Sequence, residues 1–250
     1  MQKTTCSYWQ TRWASSRRNR NQALTVLTAS LVFFTLLGGL IFVQSTHAQE
    51  SYFSDEPWAL NPNNDTYALA VGDVDLDGDL DVVFANKALS NTLHLNDDGV
   101  IRTDPVWRSS LQLSTYAVAL GDIDGDNDLD VVFGDFSGEI MVFLNVGGDA
   151  VFDRFPAWRS QQMMTTQHIM LGDVDGDGDL DMVCANGAAT AHPRFNINRL
   201  YLNTDGMFEA TPAWESADSV DTRSCALGDI DNDGDLDIVF GNAGSGGLAN

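Results

Sequence analysis

Basic residues are scarce in most of this chain. The first 48 residues carry Lys3, Arg12, Arg17, Arg18 and Arg20 and no acidic residue. Residues 49–250 hold the other eight Lys and Arg against all 36 Asp and Glu, which gives this part a formal charge of −28. Such an acidic body repels nucleic acids and anionic membrane surfaces, so the charge excludes nucleic acid as a partner.

The residue patterns of common enzymes are also missing. The chain has no Gly-x-Ser-x-Gly elbow, no phosphate-binding loop and no repeated Ser/His/Asp set. His94, His168 and His192 occupy unrelated positions in the repeats described below, so no zinc cluster is predicted. A carboxylate pair for glycoside hydrolysis stays open among so many Asp residues. The sequence nevertheless predicts a protein that is not an enzyme, with no catalytic residue.

Cysteine is rare, with three residues in all. Cys6 lies in the basic leader, whereas Cys184 and Cys225 stand where the other repeats carry Phe, Leu, Val or Ile. The two are therefore predicted to be small core residues. A Cys184–Cys225 disulfide is the alternative, since an exported protein would permit one.

What the chain has in abundance is one acidic stretch written four times. The copies are GDVDLDGDLD at 72–81, GDIDGDNDLD at 121–130, GDVDGDGDLD at 172–181 and GDIDNDGDLD at 228–237. Counted from the first Asp, carboxylates occupy positions 1, 3, 5, 7 and 9 of each loop. Five like charges within nine residues repel one another unless a cation binds them. Calcium takes six to eight oxygens, whereas magnesium keeps its waters and prefers fewer carboxylates, so up to four calcium sites are predicted.

The candidate metal ligands are the twenty loop aspartates: Asp73, Asp75, Asp77, Asp79, Asp81, Asp122, Asp124, Asp126, Asp128, Asp130, Asp173, Asp175, Asp177, Asp179, Asp181, Asp229, Asp231, Asp233, Asp235 and Asp237. An EF-hand is excluded, because its bidentate Glu at position 12 is replaced by Phe84, Phe133, Cys184 and Phe240. The apolar, β-branched flanks of each loop indicate strands in place of helices.

A second marker establishes a true repeat. Trp58, Trp107, Trp158 and Trp214 are spaced 49, 51 and 56 residues apart, and the first aspartates of the four loops have the same three spacings. Units of this length with three strands and a Trp segment predict an all-β protein, a β-propeller of four-stranded antiparallel blades. The units run approximately over 50–99, 100–148, 149–206 and 207–250, and each opens with an apolar residue six positions before its Trp and a Pro near it. About three and a half blades are present, so we expect an incomplete ring and a fragment of a longer protein.

The Trp residues, one per unit and each near a Pro, are predicted to pack between blades. A contact stripe for a ligand is the alternative interpretation. The longest insert, residues 187–198, is the best candidate for a contact loop.

With these motifs in place, residues 50–245 resemble the FG-GAP/VCBS repeat proteins, relatives of the α-integrin head. The resemblance rests on the four loops and on the strand endings Phe84-Ala-Asn86, Phe133-Gly-Asp135, Cys184-Ala-Asn186 and Phe240-Gly-Asn242. It implies that positions 1, 3, 5 and 9 bind calcium through carboxylates and position 7 through its main-chain carbonyl. Asn127 departs from the family's loop Gly, but Asn tolerates a left-handed backbone, so that site is expected to survive with weaker binding.

Residues 1–48 have the layout of a secretory signal. A basic head precedes an apolar run at 23–43, and Thr46-His-Ala48 offers a small-x-small cleavage site. Because the run has 21 residues, an uncleaved membrane anchor is the alternative. Either way residues 49–250 are predicted to be secreted, periplasmic or on the cell surface.

Together these features predict an exported calcium-binding propeller, residues 49–250, that binds a protein or glycan at or beyond the cell surface. The resemblance implies adhesion or recognition, with calcium in a structural role. A scaffold portion of a secreted polysaccharide-active or other hydrolytic enzyme is the alternative function.

Overall fold

The computed structural model describes residues 65–187 and 193–243, apart from the side chains at 137, 193 and 194. All of these belong to one compact unit, Glu56–Asn250. The predicted signal at 1–48, its apolar run, Cys6, Trp58 and residues 188–192 of the long insert lie outside the described residues. No helix among the described residues has the length and apolarity needed to cross a bilayer.

The described residues form short antiparallel strands and a single 3₁₀ turn, Pro193–Asn196. The alternating and β-branched segments found in the sequence account for the long strands, since such residues pack well on a pleated surface. In chain order the strands are β1 Thr66–Gly72, β2 Asp81–Leu89, β3 Thr92–His94, β4 Asn96–Asp97, β5 Val100–Ile101, β6 Trp107–Arg108, β7 Leu113–Gly121, β8 Asp130–Gly138, β9 Ile140–Phe143, β10 Trp158–Arg159, β11 Met164–Gly172, β12 Asp181–Asn186, β13 Arg199–Tyr201, β14 Asn203–Thr204, β15 Met207–Phe208, β16 Trp214–Glu215, β17 Thr222–Gly228 and β18 Asp237–Asn242.

Hydrogen-bond pairing groups these strands into repeated sheets. The orders are β1-β2-β3-β6, β7-β8-β9-β10 and β11-β12-β13-β16, and each is a four-stranded antiparallel unit. The ends of β2 and β8 also pair with β7 and β11, which joins the three units by hydrogen bonds. A fourth sheet shows the first two strands, β17 and β18. The predicted all-β class and the four-stranded propeller-type blades are confirmed. We call the four sheets blades 1 to 4.

The Trp strand has a different place from the one that the sequence suggested. Each Trp segment was expected to be a strand of the unit that it opens. Trp107 instead pairs with Leu93, which lies in the third strand of the preceding blade. Trp158 and Trp214 likewise close blades 2 and 3. The reason is local: the turn after the third strand, such as the β4–β5 hairpin, reverses the chain and brings the Trp segment back beside that strand.

Aromatic packing joins consecutive blades. The ring of Trp107 in blade 1 contacts Phe133, Phe143 and Phe152, with centroid separations of 6.2, 5.1 and 5.4 Å. Trp158 packs in the same way against residues of blade 3, and Trp214 stacks on Phe240 of blade 4. The prediction that the Trp residues pack between blades is confirmed for these three.

The two later cysteines are core residues, as predicted. Cys184 and Cys225 are buried free thiols, so the alternative disulfide is not formed. Burial raises the pKa of the Cys184 thiol well above its ordinary value, which suits a side chain that acts as a small apolar residue.

In blades 1 to 3 the glycine before the acidic loop allows a close approach to the blade that follows. A Cβ on Gly121 would lie 2.8 Å from the Cδ1 atom of Leu171 in blade 3, and one on Gly172 would lie 2.6 Å from Cδ1 of Leu227 in blade 4. These distances are shorter than a carbon–carbon contact, so Gly leaves the space that the leucine of the next blade fills. The acidic loops of blades 1 to 3 therefore start at points fixed against the blade that follows.

Candidate metal centre

The four acidic loops occupy the same place in their blades. Each joins the first strand to the second, and the ladder ends where the residue before position 1 faces position 9, as in Gly72↔Asp81 and Gly121↔Asp130. The first and last carboxylates of a loop are thus brought together by strand pairing. All four loops lie at the same end of the strands in their blades.

Two positions in each loop have a left-handed backbone. At position 6, φ is 95° for Gly78, 71° for Asn127, 101° for Gly178 and 100° for Gly234. The left-handed conformation predicted for Asn127 is therefore confirmed. Position 4 is left-handed as well, and the sequence analysis missed it.

The residues at position 4 are Leu76, Gly125, Gly176 and Asn232, with φ of 58°, 76°, 77° and 62°. The signal was present, because three of the four are Gly or Asn, the residues that tolerate this conformation best. Leu76 is the exception, since its Cβ is crowded by the backbone in this conformation.

Replacing Leu76 with Gly is therefore expected to stabilise the protein. The left-handed conformation costs an L-residue roughly 1–2 kcal/mol, and the extra chain entropy of Gly offsets roughly half of this, which leaves a gain of about 0.5–1 kcal/mol. Denaturant unfolding measures it. Leu80→Gly is the control, since Leu80 is similarly exposed but has no left-handed backbone; that variant should lose stability. A loss of stability in both variants would contradict the argument.

Position 9 is a buried anchor in the sites of blades 1 to 3. Asp81, Asp130 and Asp181 have no exposed surface. In Asp130, Oδ2 accepts a hydrogen bond from the backbone N–H of Ile123 at 2.8 Å, and Oδ1 accepts one from Asn145 at 2.8 Å. The same two bonds recur in blades 1 and 3. The carboxylate thus holds both the start of the loop and the turn after the third strand.

That turn contributes an asparagine that was not among the site residues predicted from the sequence. The side-chain amide of Asn145 donates to the carbonyl oxygen of Val74 in blade 1 at 2.8 Å, and Asn203 donates to Ile123 in blade 2 at 2.8 Å. Each Asn therefore ties its own site to the loop of the preceding blade. The Leu-Asn pair that ends every third strand was the available signal.

Positions 1, 3 and 9 form the candidate metal-binding groups. In every blade one carboxylate oxygen from each of these positions lies within 4.8 Å of the others. The four triads are Asp73, Asp75 and Asp81; Asp122, Asp124 and Asp130; Asp173, Asp175 and Asp181; and Asp229, Asp231 and Asp237. Three carboxylates this close together can hold a metal ion.

Position 1 is shaped by the loop itself. One oxygen of Asp122 accepts from the N–H of Asn127 at 3.0 Å and the other from Gly125 at 2.9 Å, so the side chain lies inside the turn. The corresponding bond to position 6 is present in the other three loops.

Positions 5 and 7 lie outside the triads and make local bonds. Oδ1 of Asp77, Asp126, Asp177 and Asp233 at position 5 accepts the N–H of position 7. The side chains of Asp79 and Asp179 at position 7 accept the N–H groups of Asp98 and Asp205 in the turn after the third strand. Because these side chains are hydrogen-bonded to the turn, the main-chain carbonyl of position 7 is the group left to bind a metal, as the family resemblance implies. Metal binding by positions 5 and 7, which include Asp128 and Asp235, stays a prediction.

The electrostatics of the triads favour a bound cation. Burial, opposed by two backbone hydrogen bonds, raises the pKa of Asp130 to about 7. Burial and the charge of Asp126 raise the pKa of Asp128 to about 6. In blade 1, Oδ1 of Asp73 and Oδ1 of Asp75 are buried and have no hydrogen-bond partner. Burial also raises the pKa of Asp81 in the same blade. A divalent cation would satisfy the unpaired oxygens and neutralise the buried carboxylates, so the residues fit such an ion.

One family model matches the repeats, and several solved structures resemble the chain. The FG-GAP-like repeat model matches residues 73–133, 122–184 and 173–240. No curated protein matches the sequence. Two similar crystal structures are those of BBS1N in complex with ARL6DN, soaked with lead, and of the V. cholerae biofilm matrix protein Bap1.

The two solved structures are distant. BBS1N is 15% identical with a TM-score of 0.40, and the match covers 63% of this chain and 46% of that one. Bap1 is 20% identical with a TM-score of 0.35, and the match covers 64% of this chain and 30% of that one. This chain therefore spans less than half the length of either. The three overlapping repeat matches take in all four acidic loops, and on that ground the chain belongs to the family of FG-GAP-like repeat proteins.

Proposed function

We propose that this chain is an exported calcium-binding repeat protein that binds a protein or glycan outside the cell or at its surface. The observation that carries the calcium assignment is the Asp triad of positions 1, 3 and 9, repeated at one edge of four blades. The calcium is structural: it ties the loop between the first two strands to the turn after the third.

Calcium fits these loops better than magnesium does. Each loop offers three converging carboxylates, further oxygens at positions 5 and 7, and irregular geometry around two left-handed residues. Calcium accepts six to eight ligands in flexible arrangements, whereas magnesium demands a near-ideal octahedron and gives up its waters reluctantly. Export supports the same choice, since calcium-binding extracellular modules work at Kd values of about 10⁻⁴–10⁻³ M.

A binding role is favoured over catalysis by how the acidic residues are used. Twelve of the loop aspartates are committed to the triads, and the side chains of position 7 hold turns in place. A carboxylate bound to a cation stays ionised and is a poor proton donor for hydrolysis. Repeated blades with fixed loop positions suit a surface that presents residues to a ligand.

Equilibrium dialysis of the full chain against calcium tests the metal assignment. Up to four calcium ions per chain are expected, with little displacement by an equal concentration of magnesium. Asp124→Asn, which removes one carboxylate from the blade 2 triad, should lower the number of ions by one. Protection of the chain from external protease in intact cells would contradict export, and the absence of bound calcium would contradict the sites.

A further inference from the structure

A cavity of about 620 Å³ opens beside blade 3, away from the metal loops. It is lined by Gln162, Met163, Phe195, Ile197, Arg199 and Glu215. Its volume falls within the range of about 300–1,000 Å³ that is typical of small-molecule sites. Phe195 and Ile197 belong to the long insert at 187–198, which blades 1 and 2 lack.

Arg199 is the unusual member of this lining. Its side chain is only 6% exposed, its Nε donates to Oε1 of Glu215 at 2.8 Å, and its Nη1 is buried with no hydrogen-bond partner. Burying a guanidinium with an unsatisfied N–H costs free energy. Such groups are rare in native structures, and each one calls for a specific explanation. Because Nη1 has almost no accessible surface, a ligand reaches it only when the guanidinium turns toward the cavity that Arg199 lines, and such a ligand would supply the missing acceptor.

The other blades place their charges differently at the same register. The third-strand residue facing the fourth strand is Thr92 in blade 1 and Met141 in blade 2, and the residues opposite them are Arg108 and Arg159. In blade 3 the pair is Arg199 and Glu215. In blade 3 the arginine is therefore the buried residue on the third strand, and the fourth strand carries an acidic residue where blades 1 and 2 carry an arginine. The fold does not need a charge there, since blade 2 buries Met141 at that point.

The remaining lining is consistent with a small polar ligand that also has an apolar face. The Gln162 side-chain oxygen accepts a hydrogen bond from the Tyr201 hydroxyl at 3.0 Å, which orients the amide and leaves its N–H₂ as a donor. Met163 is 51% exposed, and together with Phe195 and Ile197 it gives the cavity an apolar wall. Donors, one carboxylate acceptor and an apolar wall are thus gathered in one place.

We propose that this cavity binds a neutral sugar unit of a glycan. Two adjacent hydroxyls complement the ion pair, because one can accept an N–H from Arg199 while the other donates to the Glu215 carboxylate. The C–H face of the ring packs on Phe195, Ile197 and Met163. An anionic ligand is disfavoured, since Glu215 already neutralises the arginine and residues 49–250 carry 36 acidic against eight basic residues.

This inference rests on the proposed binding function and narrows its ligand to a neutral glycan held at blade 3. The test is isothermal titration calorimetry of the full chain in 10 mM calcium with maltohexaose, cellohexaose, mannohexaose and chitohexaose. A polygalacturonate oligomer serves as the acidic probe. We expect at least one neutral oligosaccharide to bind and the acidic one to bind more weakly.

Variants locate the site. Arg199→Met places in blade 3 the residue type that blade 2 already buries, so the variant should fold with an unchanged or higher melting temperature. Loss of the charged hydrogen bond should weaken sugar binding by about tenfold or more, and Glu215→Gln should weaken it as well. Arg159→Met makes the same substitution at an exposed blade 2 position and should leave binding unchanged.

The results separate this inference from the broader proposal. If no neutral oligosaccharide binds, or if Arg199→Met binds as tightly as the wild type, the sugar site is overturned while calcium binding stands. A melting temperature that falls sharply in Arg199→Met with sugar binding intact would assign the arginine a purely structural role. Failure to bind calcium would instead contradict the proposed function itself.

Discussion

Removing calcium is expected to lower the free energy of unfolding by about 6–11 kcal/mol relative to 10 mM calcium. With Kd values of about 10⁻⁴–10⁻³ M, each site contributes about 1.4–2.7 kcal/mol at that concentration, and there are four triads. This is comparable with the whole stability of a typical domain, about 5–15 kcal/mol. The melting temperature in EDTA should therefore fall by at least about 10 °C, or the cooperative transition should disappear.

The size of the calcium effect should grow with pH. In the metal-free protein, burial raises the pKa of Asp130 to about 7 and that of Asp128 to about 6, above the ordinary value of 3.8 for Asp. An acid whose pKa is raised on folding stabilises the fold most fully below its unfolded pKa and loses that contribution as pH rises through the folded value. Stability in EDTA should thus decline between about pH 4 and pH 7, whereas calcium binds the ionised form and should oppose the decline.

Thermal melts of the full chain at pH 5, 6.5 and 8, each in calcium, magnesium and EDTA, measure both effects. Magnesium should restore little of the lost stability. Asp124→Asn should lose about 1.4–2.7 kcal/mol in 10 mM calcium but almost nothing in EDTA. Asp104→Asn, which makes the same charge change at an exposed position outside the loops, should behave as the wild type does. Equal melts in calcium and EDTA would show that the loops do not hold calcium usefully.

Much of the fold was predictable because two local patterns recur in the sequence, the alternating aspartates and the apolar, β-branched segments beside them. The alternating aspartates fix each loop, and the apolar, β-branched flanks fix the strands on either side of it. The pairing of the Trp strand was not predictable in the same way. A two-residue strand such as Trp107–Arg108 carries no periodicity of its own, and its partner is set by the turn that precedes it.

The site shows the same division between what spacing reveals and what packing decides. Spacing identified the carboxylates, but it could not rank them, since all five loop positions look alike in the sequence. Pairing of Gly121 with Asp130 buries position 9, and the side-chain bond of Asn145 links the site to the loop of the preceding blade. Arg199 gave no sequence signal at all, because its importance comes from burial beside Glu215.

Blade 2 differs from the other blades in a buried acidic residue on its second strand, outside the metal loops. Asp135 faces Thr115, at the position where blades 1, 3 and 4 have an Asn facing a Thr. In blade 3 that residue, Asn186, accepts a hydrogen bond from Thr166 and donates its amide to the carbonyl of Ile197. The Asp135 carboxylate can only accept, and it does so from the N–H of Phe136 at 2.8 Å.

Replacing Asp135 with Asn is therefore expected to stabilise the protein by about 1–3 kcal/mol at pH 8, since one pKa unit corresponds to about 1.4 kcal/mol. Burial, opposed by backbone hydrogen bonds, raises the pKa of Asp135 to about 6. The wild type thus loses stability as pH rises from about 4 through 6, and Asp135→Asn removes this part of the decline. The gain should vanish near pH 4, where the wild-type carboxyl is protonated.

The reverse substitution provides the matched control. Asn186→Asp places a carboxylate at the same position of blade 3 and removes the amide donor to Ile197, so it should destabilise the protein and add a pH dependence of the same sign. Denaturant unfolding in calcium at pH 4, 6 and 8 compares the three proteins. If Asp135→Asn were no more stable than the wild type at pH 8, the carboxylate would have to make a compensating contact as an ion, and burial would not be what sets its pKa.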